Sequence, residues 1–297
     1  MPDYRTIDIE VDGGLLHVGL WGNTGPRILC SHGITANHLS FQGLADALGD
    51  GFQLIAPDHR GRGGSAGIAG PWGMAEHARD MAALLDALNI DSVDLMLGHS
   101  MGAFVTVVSQ AAMPERIPRY MLVDGGLPLF DEVPDVTPEQ LIDAIIGPAM
   151  QRLDMQFESA AAYLDFWRAH PAFARVEDWS DALENYFLFD LTGKAPHLHS
   201  PVNKTAIVED TNSQLMSDII PASIEQLSGE GWFLQAPRGV MDDAPLYPLA
   251  RVERLAQAIP GLTVCALEDV NHYTIVLGGN GARQIATLLR STLKPGS

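Results

Sequence analysis

One serine in this chain has the neighbours that a nucleophile needs. Ser100 lies in the pentapeptide Gly98–Gly102 (GHSMG), between the apolar runs Val93–Leu97 and Ala103–Val108. A sharp turn from a strand into a helix exposes a serine Oγ, and glycines two positions before and after the serine leave room for that turn. The pattern therefore predicts a nucleophile elbow at Ser100, with a serine that only caps a helix as the alternative.

A histidine late in the chain can serve as the base for this serine. His272 lies in a loop after the apolar run Leu262–Leu267, from which its side chain can reach back to Ser100. We therefore predict that His272 is the general base. His99 is adjacent to the serine, but on the turn we expect it to point away and to pack structurally.

The elements that would position these side chains alternate along the chain. Short apolar runs typical of buried strands are separated by segments with helical spacing, which predicts a mostly parallel sheet with helices on both faces. Between residues 128 and 230 the pattern becomes helical without strand-like runs. We therefore predict an α/β core formed by residues 1–127 and 231–297, with a helical insertion at 128–230. The eight predicted strands are Tyr4–Val11, Leu15–Trp21, Arg27–Ser31, Phe52–Ala56, Val93–Leu97, Tyr120–Val123, Gly231–Ala236 and Leu262–Leu267.

Charge and composition narrow the range of partners. The chain has 297 residues with 37 acidic against 18 basic side chains, so its surface repels nucleic-acid phosphates and anionic membranes. No apolar run reaches the roughly 18 to 20 residues of a membrane span, and residues 1–13 lack the apolar segment of a secretion signal. We expect a cytoplasmic protein, with Cys30 and Cys265 as reduced core thiols. The composition leaves the oligomeric state open.

Four short motifs follow one another along the chain: His32-Gly33, Asp58–Ser65 (D-x-R-G-x-G-x-S), Gly98–Gly102 and Asn271–Tyr273. Together they resemble the α/β-hydrolase superfamily. The resemblance covers nearly the whole predicted core and implies an eight-stranded, mostly parallel sheet. It is weak across the helical insertion, which lies where that superfamily carries its cap or lid.

The resemblance also implies where an oxyanion would bind. In the geometry of the superfamily, the backbone amides of Ile34 and Met101 form the oxyanion hole that holds a tetrahedral intermediate. The alternative is that His32-Gly33 is only a turn at the end of a strand. Asp58 and Arg60 are expected to brace their loop as a charge-assisted pair, without a catalytic role.

The acid that orients the histidine is the residue that the motifs leave open. In this superfamily the acid usually follows the strand after the insertion, but no carboxylate directly follows Trp232–Ala236, and Asp242 and Asp243 come later in the loop. A minority of members place the acid at the end of the preceding strand, where Tyr120–Val123 leads into Asp124. We predict Asp124 as the acid, with Asp242 or Asp243 as the alternative.

Neither a metal nor a cofactor is predicted. His197 and His199 are separated by one residue, and no cluster of carboxylates or thiols surrounds them in the sequence, which argues against a metal site. The glycines of Gly61–Gly64 lack the lysine of a phosphate-binding loop and do not open a helix. Aromatic residues at helical spacing within the insertion are expected to form the core of a cap, and a few to line a pocket: Tyr163, Phe166, Trp167, Trp179, Tyr186, Phe187 and Phe189.

These residues predict a serine hydrolase that cleaves a small apolar carboxylic ester or lactone through an acyl-enzyme. The serine at the elbow argues against the haloalkane dehalogenases and epoxide hydrolases of the superfamily, which carry aspartate there. Carbon–carbon bond hydrolases and cofactor-free perhydrolases keep the serine and stay open as alternatives. A receptor that binds a small ligand without turning it over is the alternative of another class.

Overall fold

The sheet has the eight strands that the apolar runs predicted. The computed structural model describes residues 2–131, 135–136, 140, 147, 150–175 and 179–293, and within them a single sheet has the order β1-β2-β4-β3-β5-β6-β7-β8. Strand β2 is antiparallel to both of its neighbours, and the remaining pairs are parallel. The predicted mostly parallel sheet is therefore confirmed. The strands are β1 Tyr4–Val11, β2 Gly14–Trp21, β3 Arg27–Ser31, β4 Gln53–Pro57, β5 Leu95–His99, β6 Arg119–Val123, β7 Glu230–Gln235 and β8 Leu262–Ala266.

Helices cover both faces of this sheet. Within the predicted helical insertion, most of residues 138–153 lie outside the described residues. Ten α-helices are described in full: α1 Gln42–Leu48, α2 Met74–Ala87, α3 Met101–Ala112, α4 Ala160–Arg168, α5 Asp181–Phe189, α6 Lys204–Leu215, α7 Ile219–Ile224, α8 Leu249–Ala256, α9 Thr274–Leu277 and α10 Gly279–Thr292.

The central strand β5 shows why the chain folds this way. All five of its residues are buried, as expected for a parallel strand with helices on both faces. Leu95 and Leu97 pack into the hydrophobic cluster that contains Ile285 of α10, whereas Met96 packs into the opposite cluster with Phe104 of α3. Alternate side chains of β5 therefore pack into the clusters on the two faces of the sheet, and this packing on both sides holds the carboxyl end of the strand in place.

The segment 128–230 contributes to two different packing surfaces. Residues of α4 and α5 form an aromatic cluster in which the rings of Trp167 and Phe187 stack with their centroids 4.5 Å apart. Helix α7 instead packs on the core, because Ile220 belongs to the same cluster as Phe104 of α3.

The seven aromatic residues that the sequence analysis assigned to the core of a cap pack together with one exception. Six of the seven belong to this cluster or pack against it. Phe189, the exception, lies 4.9 Å from the ring of His38 in the core, centroid to centroid. This residue therefore joins the inserted segment to the core rather than filling the inserted segment itself.

The two cysteines are free. Cys30 is fully buried in β3, as predicted, whereas Cys265 in the edge strand β8 is only partly buried. Among the described residues, no helix is long and apolar enough to cross a membrane.

Candidate active site

Ser100 occupies the tight turn between β5 and α3. Its backbone has φ 55° and ψ −121°, a left-handed conformation that is rare for a residue with a side chain. A Cβ atom at Gly98 would lie 2.1 Å from the carbonyl oxygen of Gly102, and one at Gly102 would lie 2.0 Å from that of Ser31. Only glycine fits at both positions, which explains the spacing that the sequence showed.

His272 lies between Ser100 and Asp124. The His272 Nε2 atom is 3.0 Å from Ser100 Oγ, and Nδ1 is 2.7 Å from Asp124 Oδ2. A carboxylate only accepts hydrogen bonds, so Nδ1 carries the proton and Nε2 is left to accept one from the serine hydroxyl. The three side chains therefore form one continuous chain of hydrogen bonds that begins at the half-buried Ser100 and ends at the buried carboxylate of Asp124.

Asp124 is held at the end of β6. Its Oδ1 atom accepts a hydrogen bond from the Ala236 amide at 3.1 Å, beyond the end of β7. Its backbone has φ 47°, and a Cβ atom at the following Gly125 would lie 2.3 Å from the carbonyl oxygen of Ser100. The close packing of this turn against the elbow brings the carboxylate to the histidine loop.

The alternative carboxylates lie elsewhere. Asp242 pairs with Arg238 at 2.6 Å and with Arg175 at 2.9 Å, and none of its hydrogen bonds involves His272. Burial raises the pKa of Asp242, but the hydrogen bonds from Asn271 and Arg238 lower it by a larger amount, so its pKa lies below the usual value. Asp243 is exposed. The geometry thus places Asp124, and neither alternative, on the histidine.

Two residues position the histidine loop through its backbone. Asn271 Oδ1 accepts hydrogen bonds from the amides of Tyr273 and Thr274, and its Nδ2 donates to Asp242 at 3.1 Å. His99 is buried and packs against His272, because its Nε2 donates to the His272 carbonyl oxygen at 2.8 Å. Burial, with a smaller contribution from His272, lowers the pKa of His99 to about 3, so its ring is neutral near pH 7.

Ile34 and Met101 both line the space in front of Ser100. Met101 is the first residue of α3, so its amide has no carbonyl acceptor within the helix and lies at the positive end of the helix dipole. The Ile34 amide shares its peptide unit with the Gly33 carbonyl oxygen. His32 Nδ1 donates to this oxygen at 2.7 Å and so fixes the orientation of the peptide. The His59 amide donates to His32 Nε2 at 2.9 Å, which settles this tautomer.

The expected pair between Asp58 and Arg60 is wrong. Asp58 accepts from the amide and the ring of His38 at 2.6 and 2.8 Å, and Arg60 extends the other way to Asp80 on α2. The two side chains of this loop therefore bind different elements, the segment around His38 and helix α2. The sequence carries no signal for either partner, because His38 and Asp80 are distant along the chain.

A cavity of about 320 Å³ opens in front of Ser100, within the range typical of small-ligand sites. Most of its walls are apolar. The core contributes Phe104 and Leu246, and α4 and α5 contribute Phe166, Trp167 and Tyr186, so helices of the segment 128–230 form part of the site.

One charged side chain of this segment also lines the cavity. Arg152 is 3% exposed, pairs with Asp190 and donates to the Tyr163 hydroxyl at 2.9 Å. Its guanidinium lies over the ring of Trp167, 5.3 Å from the centroid. Burial lowers the pKa of Arg152, but Asp190 and Tyr163 together raise it by more, so the group keeps its charge. Asp190 therefore neutralises the charge of Arg152 at the cavity wall.

Groups with metal-binding atoms occur away from the cavity. His197 and His199 are exposed and hydrogen-bond to Gln156 Oε1 and to a backbone oxygen. Among the described residues, His17, His38 and Asp58 place donor atoms within 4.8 Å of one another. Both ring nitrogens of His38 already hold partners, Tyr4 and Asp58, so this group is satisfied within the protein.

The comparisons with known proteins identify the family and the fold. A family model described as alpha/beta hydrolase fold matches residues 26–278. The 3-hydroxybutyrate-oligomer hydrolase of Cupriavidus necator is 30% identical over 54% of this chain and 54% of that protein. Lipase LipV of Mycobacterium tuberculosis is 35% identical over 38% of this chain and 43% of that protein. The chain thus spans about half or less of these curated relatives.

A solved structure matches over the full length. The crystal structure of E-2-(acetamidomethylene)succinate hydrolase has a TM-score of 0.77, covers 98% of this chain and 99% of its own, and is 18% identical. At that identity the likeness concerns the fold.

Proposed function

The chain belongs to the alpha/beta hydrolase fold family, and on that premise we propose that it is a serine hydrolase of small carboxylic esters or lactones. One observation carries this proposal: the hydrogen-bonded series from Ser100 through His272 to Asp124. The series opens onto a largely apolar cavity of about 320 Å³, which suits a small apolar substrate.

In this proposal each group has a defined role. The Oγ of Ser100 attacks the carbonyl carbon while His272 Nε2 takes the hydroxyl proton. Asp124 holds the imidazole in the required tautomer and stabilises the imidazolium that forms. The amides of Ile34 and Met101 donate to the developing oxyanion.

The intermediate then collapses as the leaving oxygen takes the proton from His272. An acyl group remains on Ser100, and a water molecule activated by His272 releases it as the carboxylic acid. The positive end of α3 lies at the atom where negative charge develops, so the helix favours both tetrahedral intermediates.

Ester chemistry is also supported by the names of the relatives. One is a hydrolase of 3-hydroxybutyrate oligomers and another is a lipase, although each match covers about half or less of the relative. The acidic composition and the apolar cavity favour a small uncharged substrate in preference to a nucleic acid. A cytoplasmic location stays a prediction of the sequence.

Labelling with a fluorophosphonate probe tests the proposal. The purified protein should react with the probe at one site, and Ser100→Ala should abolish the labelling. A panel of p-nitrophenyl esters of increasing chain length, with lactones alongside, should then show turnover that Ser100→Ala loses. An unlabelled and inactive native protein would instead support a receptor that binds small ligands.

A further inference from the structure

Arg62 is a fully buried arginine directly behind the proposed oxyanion hole. Its Nε donates to the Ile34 carbonyl oxygen at 2.9 Å, and Nη2 lies 3.7 Å from the Met101 sulfur. Nη1 donates to the Arg60 carbonyl oxygen at 2.8 Å and pairs with Asp210 at 2.5 Å. One guanidinium therefore contacts both residues whose amides would bind the oxyanion.

The partner of Arg62 comes from a distant part of the chain. Asp210 lies in helix α6, within the segment 128–230, and is fully buried. Its Oδ1 accepts from the Gly73 amide at 2.6 Å, and Oδ2 is 3.0 Å from His77 Nε2. Burial raises the pKa of Asp210, but His77 and Arg62 outweigh it and lower the pKa to about 2. The carboxylate is thus held charged and fixed in place by the start of α2.

The contacts of Arg62 matter because an oxyanion hole works by exact placement of its donors. The Ile34 amide belongs to a peptide unit whose carbonyl is held by His32, and the next carbonyl along the chain is the one held by Arg62. Together they fix the backbone on both sides of Ile34. Loss of one oxyanion donor typically costs about 100- to 1000-fold in kcat, so a displaced donor should cost a part of that.

We propose that Arg62 is a positioning residue for the oxyanion hole and that Asp210 makes the position of Arg62 depend on helix α6. The inference rests on the proposed hydrolase function. It assigns to the segment 128–230 a part in stabilising the oxyanion, in addition to forming walls of the cavity.

The chain contains a matched control for this pair. Arg60, two residues away in the same loop, is also fully buried and pairs with Asp80 through Nε and Nη2, at 2.7 and 2.5 Å. Its hydrogen bonds to backbone oxygens go to Pro71 and Asp12, not to the oxyanion residues. Any effect of merely weakening a buried ion pair in this loop should appear equally in both pairs.

The test compares Arg62→Lys with Arg60→Lys. Each variant keeps a positive charge for its aspartate but loses the planar set of donors. For Arg62→Lys we expect kcat on the best ester to fall about 10- to 100-fold with KM within about threefold of the native value. The affinity for a trifluoromethyl ketone, whose adduct carries an oxyanion, should fall in parallel. Arg60→Lys should lower the melting temperature comparably but keep kcat within about threefold.

A second pair tests the link to helix α6. Asp210→Asn should reduce kcat and ketone affinity together, whereas Asp80→Asn should reduce neither beyond about threefold. The inference is overturned if Arg62→Lys keeps native kcat and ketone affinity, or if Arg60→Lys loses them equally. If Asp210→Asn does not fold, the comparison of the two lysine variants still decides. A native protein that hydrolyses no ester would refute the proposed function instead, so the two failures are distinct.

Discussion

Replacement of Asp124 by asparagine tests whether this carboxylate determines which nitrogen of His272 carries the proton. In the native protein, Oδ1 accepts from the Ala236 amide at 3.1 Å and Oδ2 accepts from His272 Nδ1 at 2.7 Å. Because the Ala236 N–H can only donate, the asparagine oxygen should stay on it and the NH₂ group should turn to His272. That group donates, so Nδ1 becomes the acceptor and the proton moves to Nε2. A protonated Nε2 cannot accept the Ser100 hydroxyl proton.

The expected loss follows from this exchange of tautomers. A histidine held in the wrong tautomer lowers kcat on the order of 10⁴-fold, equivalent to about 5.5 kcal/mol of transition-state stabilisation. Asparagine has nearly the shape of aspartate and needs no counter-charge at this buried position, so the fold should persist. We therefore expect Asp124→Asn to keep its melting temperature within a few degrees, to retain KM, and to lose about 10³- to 10⁴-fold in kcat on the best ester.

Asp242→Asn is the matched control for this assay. Asp242 binds Arg238 of its own loop, Arg175 of the segment 128–230 and Asn271 of the histidine loop. Its replacement should loosen these contacts and change kcat by less than about tenfold. The reasoning is refuted if Asp124→Asn hydrolyses the ester at a near-native rate. If, in addition, Asp242→Asn is inactive, the acid belongs to the later loop.

Three further outcomes are expected. Ser100→Ala should remove several decades of kcat with an unchanged melting temperature, measured by ester turnover and thermal unfolding, and residual native turnover would contradict the proposed nucleophile. Burial lowers the pKa of His99 to about 3, so the unfolded chain binds more protons than the native protein below pH 6.5. The free energy of unfolding, measured in urea, should therefore fall from pH 6.5 towards pH 4. A flat profile would contradict this. Asp190→Asn should lower the free energy of unfolding by about 3 to 5 kcal/mol in the same assay, because it leaves the buried charge of Arg152 uncompensated. The same change at Asp165, which is 73% exposed, should lower it by only about 0 to 1 kcal/mol. Equal losses would show that burial of the pair does not matter.

The position of Ser100 was predictable because local sterics decide it. A left-handed residue between a strand and a helix requires glycines at positions 98 and 102, so the turn is encoded within five residues. The strands were equally predictable, since a parallel strand buried on both faces needs an uninterrupted apolar run such as Val93–Leu97. Both features depend on interactions between near neighbours in the chain.

The carboxylate beside His272 and the contacts that hold Ile34 in place depend on the tertiary structure. Whether Asp124 or Asp242 lies beside His272 depends on how two loops that are far apart in sequence fold over the end of the sheet. The pairing of Arg62 with Asp210 joins residues 148 positions apart, and no local pattern predicts it. Such contacts follow from the direction in which each buried side chain leaves the backbone, and that direction is set by the packing of the whole core.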